Sequence, residues 1–190
     1  MEDPTDADIL DITEDAIDDM IGEMMLMSRM PKQKPGRSVQ WYRTPPELLT
    51  ALQRRLSIVG FSIDLAADAS NSVCPQFYSE ADDALTQSWY RGPGWAFCNP
   101  PYAHIEPWVK KAHEEMELHG AHVAMLVPAS TGSNWWADYV DEVAHVLLLN
   151  GRVTFVGETS PFPKDSAVLL YLPCVRGGYE VWPWREDPHV

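Results

Sequence analysis

The feature that most constrains the fold is a series of short, wholly apolar runs that alternate with helical patterns. Three such runs are "HVAMLVPA", "HVLLLN" and "SAVLLYLP". Wholly apolar strands are typical of a sheet that is covered on both faces, and strands separated by helices are typical of α/β domains. We therefore predict an α/β fold with a mostly parallel sheet, in which the closing pair of strands forms an antiparallel edge.

The other elements follow from the same patterns. Helical patterns occur in "TPPELLTALQRRL", "HIEPWVKKAHEEMELHG" and "NWWADYVDEV", and further strands are predicted in "FSIDLAAD", "WAFCNPPY" and "RVTFV", with a weaker one in "QFY". Thr44 and Glu47 have the spacing of a capping box, which places Pro45 in the first turn of the helix. The run "SAVLLYLP" is predicted to be the last strand.

Charge divides the chain into unequal parts. The net charge is −14, but residues 1–28 hold ten acids and no base, whereas residues 29–56 hold seven bases and one acid. We predict that residues 1–40 are an acidic tail and a basic linker, largely disordered, and that residues 41–190 form one domain. A basic segment between acidic ones means that net charge alone neither requires nor excludes a nucleic-acid partner.

Composition also limits the class of protein. No apolar run approaches the roughly 20 residues of a membrane span, and the N-terminus lacks the basic and then apolar layout of a signal peptide. The three cysteines (Cys74, Cys98 and Cys174) are far apart, and the six histidines form no cluster with ligand spacing. We expect a cytoplasmic protein without a membrane segment, a disulfide framework or a metal site.

The segment "CNPPY" predicts a specific chemistry. The amine of a nucleobase is a poor nucleophile because its lone pair is delocalised into the ring. The side-chain carbonyl of Asn99 and the backbone carbonyl of Pro100 are candidate acceptors for the two amine hydrogens, and the rigid Pro100–Pro101 pair would hold both in place. Tyr102 offers a face for stacking an extruded base. The alternative is an ordinary strand exit, with Tyr102 as a packing residue.

This segment also carries a resemblance to a known family. From about Trp41 to Pro173 the sequence resembles the phage-type DNA N6-adenine methyltransferases, relatives of the DNA adenine methylases. The segments that carry the resemblance are "WYRTPPELLTAL", "FSIDLAAD", "CPQFYSEADDALTQSW", "CNPPY", "EPWVKKA", "VAMLVPASTGSNWW" and "NGRVTF". It implies a Rossmann-like fold, S-adenosylmethionine as methyl donor, and adenine in double-stranded DNA as target. It also implies a phage- or prophage-encoded protein that acts in the bacterial cytoplasm.

The resemblance further implies cofactor contacts. The segment with Thr44 and Pro45 resembles the one that touches the methionine end of the cofactor. The segment with Asp64 and Ala66 resembles the first cofactor motif, in which small residues let the ligand approach the backbone. Asp64 then either binds the cofactor amino group or caps the turn that follows it. The segment lacks the glycine-rich form of better-known methyltransferases.

Two adjacent acids in "EADDAL" are candidates for binding the cofactor adenine or ribose. Asp83 is the preferred one over Asp82, although adjacent acids in a loop are often only solvated. The candidates for contacting the DNA backbone are the basic segment 29–55, which includes Arg43, and the loop "GETSPFPKDS". Arg152 and Lys164 join them, with solvated surface residues as the alternative.

Other functions remain open on the sequence alone. The target of an amino methyltransferase with this motif could be cytosine N4, an RNA base or a protein glutamine. A silent acidic protein that mimics DNA is a second class, and an assembly protein that uses the Met-rich N-terminal segment is a third.

Overall fold

The computed structural model describes residues 42–185 of the 190-residue chain. The acidic tail and the basic linker predicted for residues 1–40 lie outside the described residues. The described helices are α1 (Pro46–Arg55), α2 (Glu106–His119) and α3 (Asn134–Tyr139). The described strands are β1 (Ile63–Asp64), β2 (Trp95–Cys98), β3 (His122–Pro128), β4 (His145–Leu149), β5 (Ser166–Tyr171) and β6 (Tyr179–Trp182).

The strands form one six-stranded sheet in the order β1-β2-β3-β5-β4-β6. The pairs β1–β2, β2–β3 and β4–β6 are parallel, whereas β5 is antiparallel to both β3 and β4. The predicted α/β class and mostly parallel sheet are confirmed. The position predicted for the antiparallel strand is wrong, because β5 lies inside the sheet and the parallel strand β6 forms that edge.

The sheet is buried on both of its faces, as the apolar runs predicted. Along β3, Val123 and Met125 belong to the core that packs against α2 and α3, and the intervening Ala124 belongs to the core that packs against α1. Alternate side chains of a strand point to opposite faces, so a wholly apolar strand feeds two cores. Among residues 42–185, no helix has both the length and the apolar character that a membrane crossing needs.

Several predicted boundaries differ from the structure. The segment "RVTFV" forms no strand, and only an isolated bridge joins Val156 to Arg43. The reason is that β4 already pairs with β5 on one side and with β6 on the other, so no ladder position beside it is free. "SAVLLYLP" is not the last strand, since β6 follows it. Helix α3 ends at Tyr139, and Glu142 in the next turn has a left-handed φ of 55°.

Helix α1 begins without the predicted capping box. Its N-cap is Pro45 rather than Thr44, and no side chain caps the helix. The Pro45 carbonyl accepts hydrogen bonds from the backbone N–H groups of Leu48 and Leu49. The Thr44 hydroxyl lies instead near Asn99, at the carboxyl end of β2.

Candidate active site

Two neighbouring parallel strands, β1 and β2, place the predicted motifs side by side. Asp64 is the last residue of β1, Asn99 directly follows β2, and these strands pair in parallel. Ligands of open α/β sheets bind outside the carboxyl ends of such strands. A cavity of about 270 Å³ lies at this edge. Its lining residues are Tyr42, Leu65, Ala66, Ala67, Asn71, Tyr78, Ser79, Glu80, Asp83, Ala84, Asn99, Pro101 and Trp108.

Two hydrogen bonds fix the orientation of the Asn99 side-chain amide. Its Nδ2 donates to the backbone carbonyl of Tyr42 at 2.7 Å and to the Thr44 hydroxyl at 3.2 Å. A backbone carbonyl accepts but never donates, so the nitrogen of the amide must face Tyr42 and the oxygen must face away from it. These bonds fix the amide of Asn99, a residue that lines the cavity, with its oxygen as the acceptor side.

The Asn99 oxygen meets the hydroxyl of Tyr102. The Tyr102 hydroxyl donates to Asn99 Oδ1 at 2.8 Å. Burial raises the pKa of Tyr102 well above its usual range, so the hydroxyl stays protonated and is a donor at neutral pH. A carbonyl oxygen has two lone pairs, so Oδ1 retains one for a further donor.

The Tyr102 ring lies in an aromatic cluster beside the cavity. We use this term for Tyr42, Tyr102, Phe155 and Phe162. The Tyr102 ring centroid is 5.9 Å from that of Tyr42, 5.6 Å from that of Phe162 and 6.4 Å from that of Phe155. Tyr42 stacks on Phe155 at 4.5 Å. Tyr102 is absent from the cavity lining, so its predicted stacking role stays a prediction and ring packing is what the structure describes.

The structure favours the second of the two alternatives for Asp64. The side chain is 3% exposed and does not line the cavity. Its Oδ1 accepts from the backbone N–H of Ala66 at 3.3 Å, and its Oδ2 accepts from that of Val73 at 3.1 Å. Asp64 therefore ties together the two ends of the 66–73 loop, whereas Ala66 and its neighbour Ala67 form cavity wall.

Burial of Asp64 gives a prediction for pH dependence. Desolvation raises the pKa of Asp64 to about 6, although the Val73 and Ala66 N–H groups oppose the rise. The folded protein therefore binds this proton more tightly than the unfolded chain does, and the contribution of Asp64 to the free energy of unfolding falls as the pH rises from about 4 to about 6. The rise of about two pKa units corresponds to about 3 kcal/mol.

The measurement is urea unfolding of the wild type and of Asp64→Asn between pH 4 and pH 7. The Asn variant lacks the titrating carboxyl, so the pH-dependent contributions of all other groups cancel when the two proteins are compared. We expect the wild type to lose stability relative to Asp64→Asn as the pH rises. Parallel pH curves for the two proteins would contradict the burial of an ionising carboxyl at this position.

The structure also separates the adjacent acids of the cofactor segment. Asp82 Oδ2 accepts hydrogen bonds from the backbone N–H and the hydroxyl of Ser79, which hold its pKa below the usual range. Asp83 lines the cavity, and its backbone has a left-handed φ of 47°. The preference for Asp83 as a cofactor contact stays a prediction. Sequence reasoning did not single out Glu80 or Trp108, which also line the cavity.

The basic candidates for DNA contact differ in their surroundings. Arg43 donates to the Ser70 carbonyl at 3.2 Å and so holds the 66–73 loop. Arg152 lies 3.4 Å from the exposed carboxylate of Asp165, and Lys164 is exposed. Both lie on the segment between β4 and β5 that supplies Phe155 and Phe162 to the aromatic cluster. Their contact with DNA stays a prediction, and that of Arg43 has the least support.

No metal centre is evident in the described part of the chain. Within residues 42–185, no three His, Cys, Asp or Glu side chains come together as metal ligands. The cavity lining includes two carboxylates and three aromatic residues. Among the described residues that line it, none is a lysine, an arginine or a histidine.

Comparison with known proteins identifies the family. Residues 31–168 match the family "DNA N-6-adenine-methyltransferase (Dam)". The DNA N-6-adenine-methyltransferase of Escherichia phage T1 is 31% identical over 113 residues, which are 60% of this chain and 46% of the relative. The DNA N-6-adenine-methyltransferase of Haemophilus phage HP1 is 26% identical over 121 residues, which are 60% of this chain and 69% of the relative. The matched part is thus about half the length of the T1 relative.

Solved structures with a similar fold have lower sequence identity to this chain. The crystal structure of a proposed RNA methyltransferase from Pyrococcus horikoshii has a TM-score of 0.46 and 14% identity, and covers 80% of this chain and 96% of that chain. No functional conclusion follows from a similarity of this degree. The family match covers most of the chain and includes both segments that meet at the cavity. The chain belongs to the DNA N-6-adenine-methyltransferase (Dam) family.

Proposed function

We propose that this protein transfers a methyl group from S-adenosylmethionine to the N6 amine of adenine in double-stranded DNA. The observation that carries the proposal is the fixed side-chain amide of Asn99, a residue that lines the cavity. An acceptor that is oriented before the substrate arrives stabilises charge that develops on the amine without reorganisation during the reaction. Family membership and the names of the two phage relatives support the choice of adenine in DNA.

The cavity residues fit S-adenosylmethionine. Ala66 and Ala67 have small side chains that let a ligand approach the backbone after β1. Asp83 and Glu80 offer carboxylates for ribose hydroxyls or an amino group, and Trp108 offers an aromatic face for an adenine ring. When bound, S-adenosylmethionine supplies an activated methyl group. The described residues of the cavity supply binding and orientation, for which no metal is required.

Asn99 and Pro100 would activate the target amine. With Asn99 Oδ1 and the Pro100 carbonyl accepting its two hydrogens, the nitrogen lone pair would no longer be held in conjugation with the ring and would be available as a nucleophile. Bound S-adenosylmethionine would supply the methyl group and leave as the neutral thioether, and the amine would lose one proton to solvent. Among the described residues, no hydrogen bond engages the Pro100 carbonyl. Pro100 and Pro101 fix the backbone φ, so this geometry costs little entropy at the moment of reaction.

The target adenine would reach Asn99 only after it leaves the duplex. Extrusion costs a few kcal/mol, which stacking on aromatic rings offsets. The aromatic cluster adjoins Asn99 through the Tyr102 hydroxyl and would offer an aromatic surface for the extruded base. Arg152 and Lys164, on the segment that carries Phe162, would contact the DNA backbone. With phage or host DNA as substrate, the protein would act in the host cytoplasm.

Thr44 gives a prediction that separates two of its possible roles. The family resemblance implies that Thr44 contacts the cofactor. In the structure, the Thr44 hydroxyl accepts a hydrogen bond from Asn99 Nδ2. Thr44→Val keeps the shape but removes this acceptor, and the Tyr42 carbonyl still holds the amide. We expect kcat to fall roughly three- to tenfold, about the net value of one hydrogen bond, with the Kd of S-adenosylmethionine unchanged. Calorimetry and initial rates test this, and a weakened Kd with normal kcat would favour cofactor contact.

A genomic experiment tests the function itself. The protein is expressed in a bacterium that lacks DNA methylation, and the genomic DNA is sequenced for N6-methyladenine. We expect modified adenines within a short recognition sequence, and none when Asn99→Ala is expressed at the same level. If adenine is unmodified but cytosine N4, RNA or protein is methylated, the target is another amino group. If none of these targets is methylated, the proposed methyltransferase function is wrong.

A further inference from the structure

An ion pair with a buried carboxylate lies on helix α2, between Glu115 and the partly exposed Lys111. The Glu115 side chain is 2% exposed, and its Oε1 accepts a hydrogen bond from Lys111 Nζ at 2.6 Å. Its Oε2 accepts from the backbone N–H of Trp89 at 3.0 Å. Removing a carboxylate from water is costly unless its oxygens are paired and hydrogen-bonded. Both oxygens of Glu115 are engaged, and one of them holds the backbone of another segment.

Trp89 connects Glu115 to the wall of the cavity. Its side chain is 1% exposed, and its indole N–H donates to the Ala84 carbonyl at 2.8 Å. Ala84 and the preceding Asp83 both line the cavity. A hydrogen-bonded path therefore leads from Glu115 through Trp89 to the residues of the 79–89 loop that would contact the cofactor.

The loop needs such support because part of its backbone is strained. Asp83 has a φ of 47°, in the left-handed region that L-residues other than glycine rarely adopt. Such a conformation persists only where surrounding contacts determine it. The N–H and hydroxyl of Thr86 bond the Asp83 carbonyl, Asp82 caps Ser79, and Trp89 holds Ala84. The bond between Trp89 and Ala84 links this strained segment to Glu115 on α2.

A further lining residue of the cavity belongs to the same helix. Trp108 lies seven residues before Glu115 on α2, which is about two turns and so the same side of the helix. Trp108 lines the cavity, and its ring centroid lies 6.1 Å from that of Trp89, with the planes 32° apart. Trp89 thus packs against one lining residue, Trp108, and bonds to another, Ala84, while Glu115 holds the backbone of Trp89.

We infer that Glu115, with Lys111 as its charge partner, is a positioning residue for the methyl donor. By holding the backbone N–H of Trp89, it sets the positions of Trp108 and of Asp83–Ala84 relative to each other. The acceptor that Glu115 offers to the Trp89 N–H controls affinity for S-adenosylmethionine and leaves DNA binding and the transfer step unaffected, and Lys111 keeps that acceptor in place. This inference rests on the proposed function, since it assigns that cavity to the cofactor.

Two double variants isolate the hydrogen bond from the charge. Lys111→Met with Glu115→Gln removes both charges but keeps an amide oxygen for the Trp89 N–H. Lys111→Met with Glu115→Met removes the charges and the acceptor, and replacing a buried ion pair by apolar residues of similar volume is often neutral for stability. Lys110→Met with Glu114→Met is the matched control, because that i,i+4 pair on α2 is half-exposed.

Calorimetry with S-adenosylmethionine, hydrogen exchange of the Trp89 amide in the ligand-free protein, and DNA binding are measured on all variants. We expect the Glu115→Gln double variant and the control to bind the cofactor within about threefold of the wild type. We expect the Glu115→Met double variant to bind at least tenfold more weakly and to exchange the Trp89 amide faster, with unchanged DNA affinity and unchanged kcat at saturating cofactor.

A rescue provides the second test if the Glu115→Met double variant does not fold. In Glu115→Gln alone, the Lys111 ammonium attracts the amide oxygen and turns the amide nitrogen toward the Trp89 N–H. Cofactor affinity should then fall, and adding Lys111→Met should restore it. Equal affinities of Glu115→Gln with and without Lys111→Met, or of the two double variants, would overturn the inference alone. A wild-type protein that binds no S-adenosylmethionine would overturn the proposed function and the inference with it.

Discussion

Asn99→Ala is expected to lower methyl transfer by about 100- to 1,000-fold while the Kd of S-adenosylmethionine changes by only a few fold. The magnitude is that of removing one preorganised acceptor or donor from a site that stabilises developing charge. The Asn99 oxygen would act on the target amine during the reaction, so its loss affects the transition state more than cofactor binding. Incorporation of labelled methyl groups into unmethylated DNA measures the rate, and calorimetry measures the Kd. Turnover within tenfold of the wild type would contradict the role of Asn99.

Asn99→Asp is the sharper control for the same site. The substitution keeps the acceptor near Tyr102 but replaces Nδ2, which lies 2.7 Å from the Tyr42 carbonyl oxygen, with a second oxygen. Two acceptors at this distance repel, so the side chain should leave its position and activity should fall about as far as in Asn99→Ala. A fully active Asp variant would show that orientation by Tyr42 is unimportant.

The fold class could be predicted from the sequence because burial on both faces leaves a direct pattern in β3, β4 and β5. The order of the strands could not, since an apolar run does not say which neighbour it pairs with. β6 (Tyr179–Trp182) was missed for a related reason. It is an edge strand with Tyr179 and Val181 exposed, so it lacks the wholly apolar run that marked the others.

The candidate site was predictable where side chains carry the chemistry. Asn99, Ala66 and Asp83 were named from their motifs, and all three line the cavity. The role of Tyr42 could not be found in this way, because it orients Asn99 through its backbone carbonyl, which every residue has. Trp108 lies in a helical segment, and helical periodicity does not distinguish a core position from one that also lines a cavity.

Asp64 shows how one residue can satisfy a motif for a different physical reason. A carboxylate at the end of a first strand is compatible with a cofactor contact, and sequence left this alternative open. In the structure, both carboxylate oxygens of Asp64 accept hydrogen bonds, from the backbone N–H groups of Ala66 and Val73. Its effect on a ligand would then be indirect, through the shape of the 66–73 loop.

The Tyr102 substitutions test what the aromatic cluster does for the target base. Tyr102→Ala is expected to weaken productive DNA binding by roughly 1–3 kcal/mol, or about 5- to 150-fold in kcat/KM, because a stacking face is lost. Tyr102→Phe keeps the ring and removes only the hydrogen bond from the hydroxyl to Asn99 Oδ1. Asn99 remains held by the Tyr42 carbonyl and the Thr44 hydroxyl, so we expect the Phe variant to stay within a few fold of the wild type.

Methylation rates on unmethylated genomic DNA, at several DNA concentrations and saturating S-adenosylmethionine, separate the two variants. Phe155→Leu is a matched control, because Phe155 belongs to the same cluster and is 2% exposed, so it can pack against the other rings but offers little surface to a base. If Tyr102→Phe and Tyr102→Ala lose activity equally, the hydroxyl that bonds Asn99 is the functional group and stacking is not. If Phe155→Leu loses as much as Tyr102→Ala, the cluster acts as packing that supports Asn99, and the extruded adenine must be held by another surface.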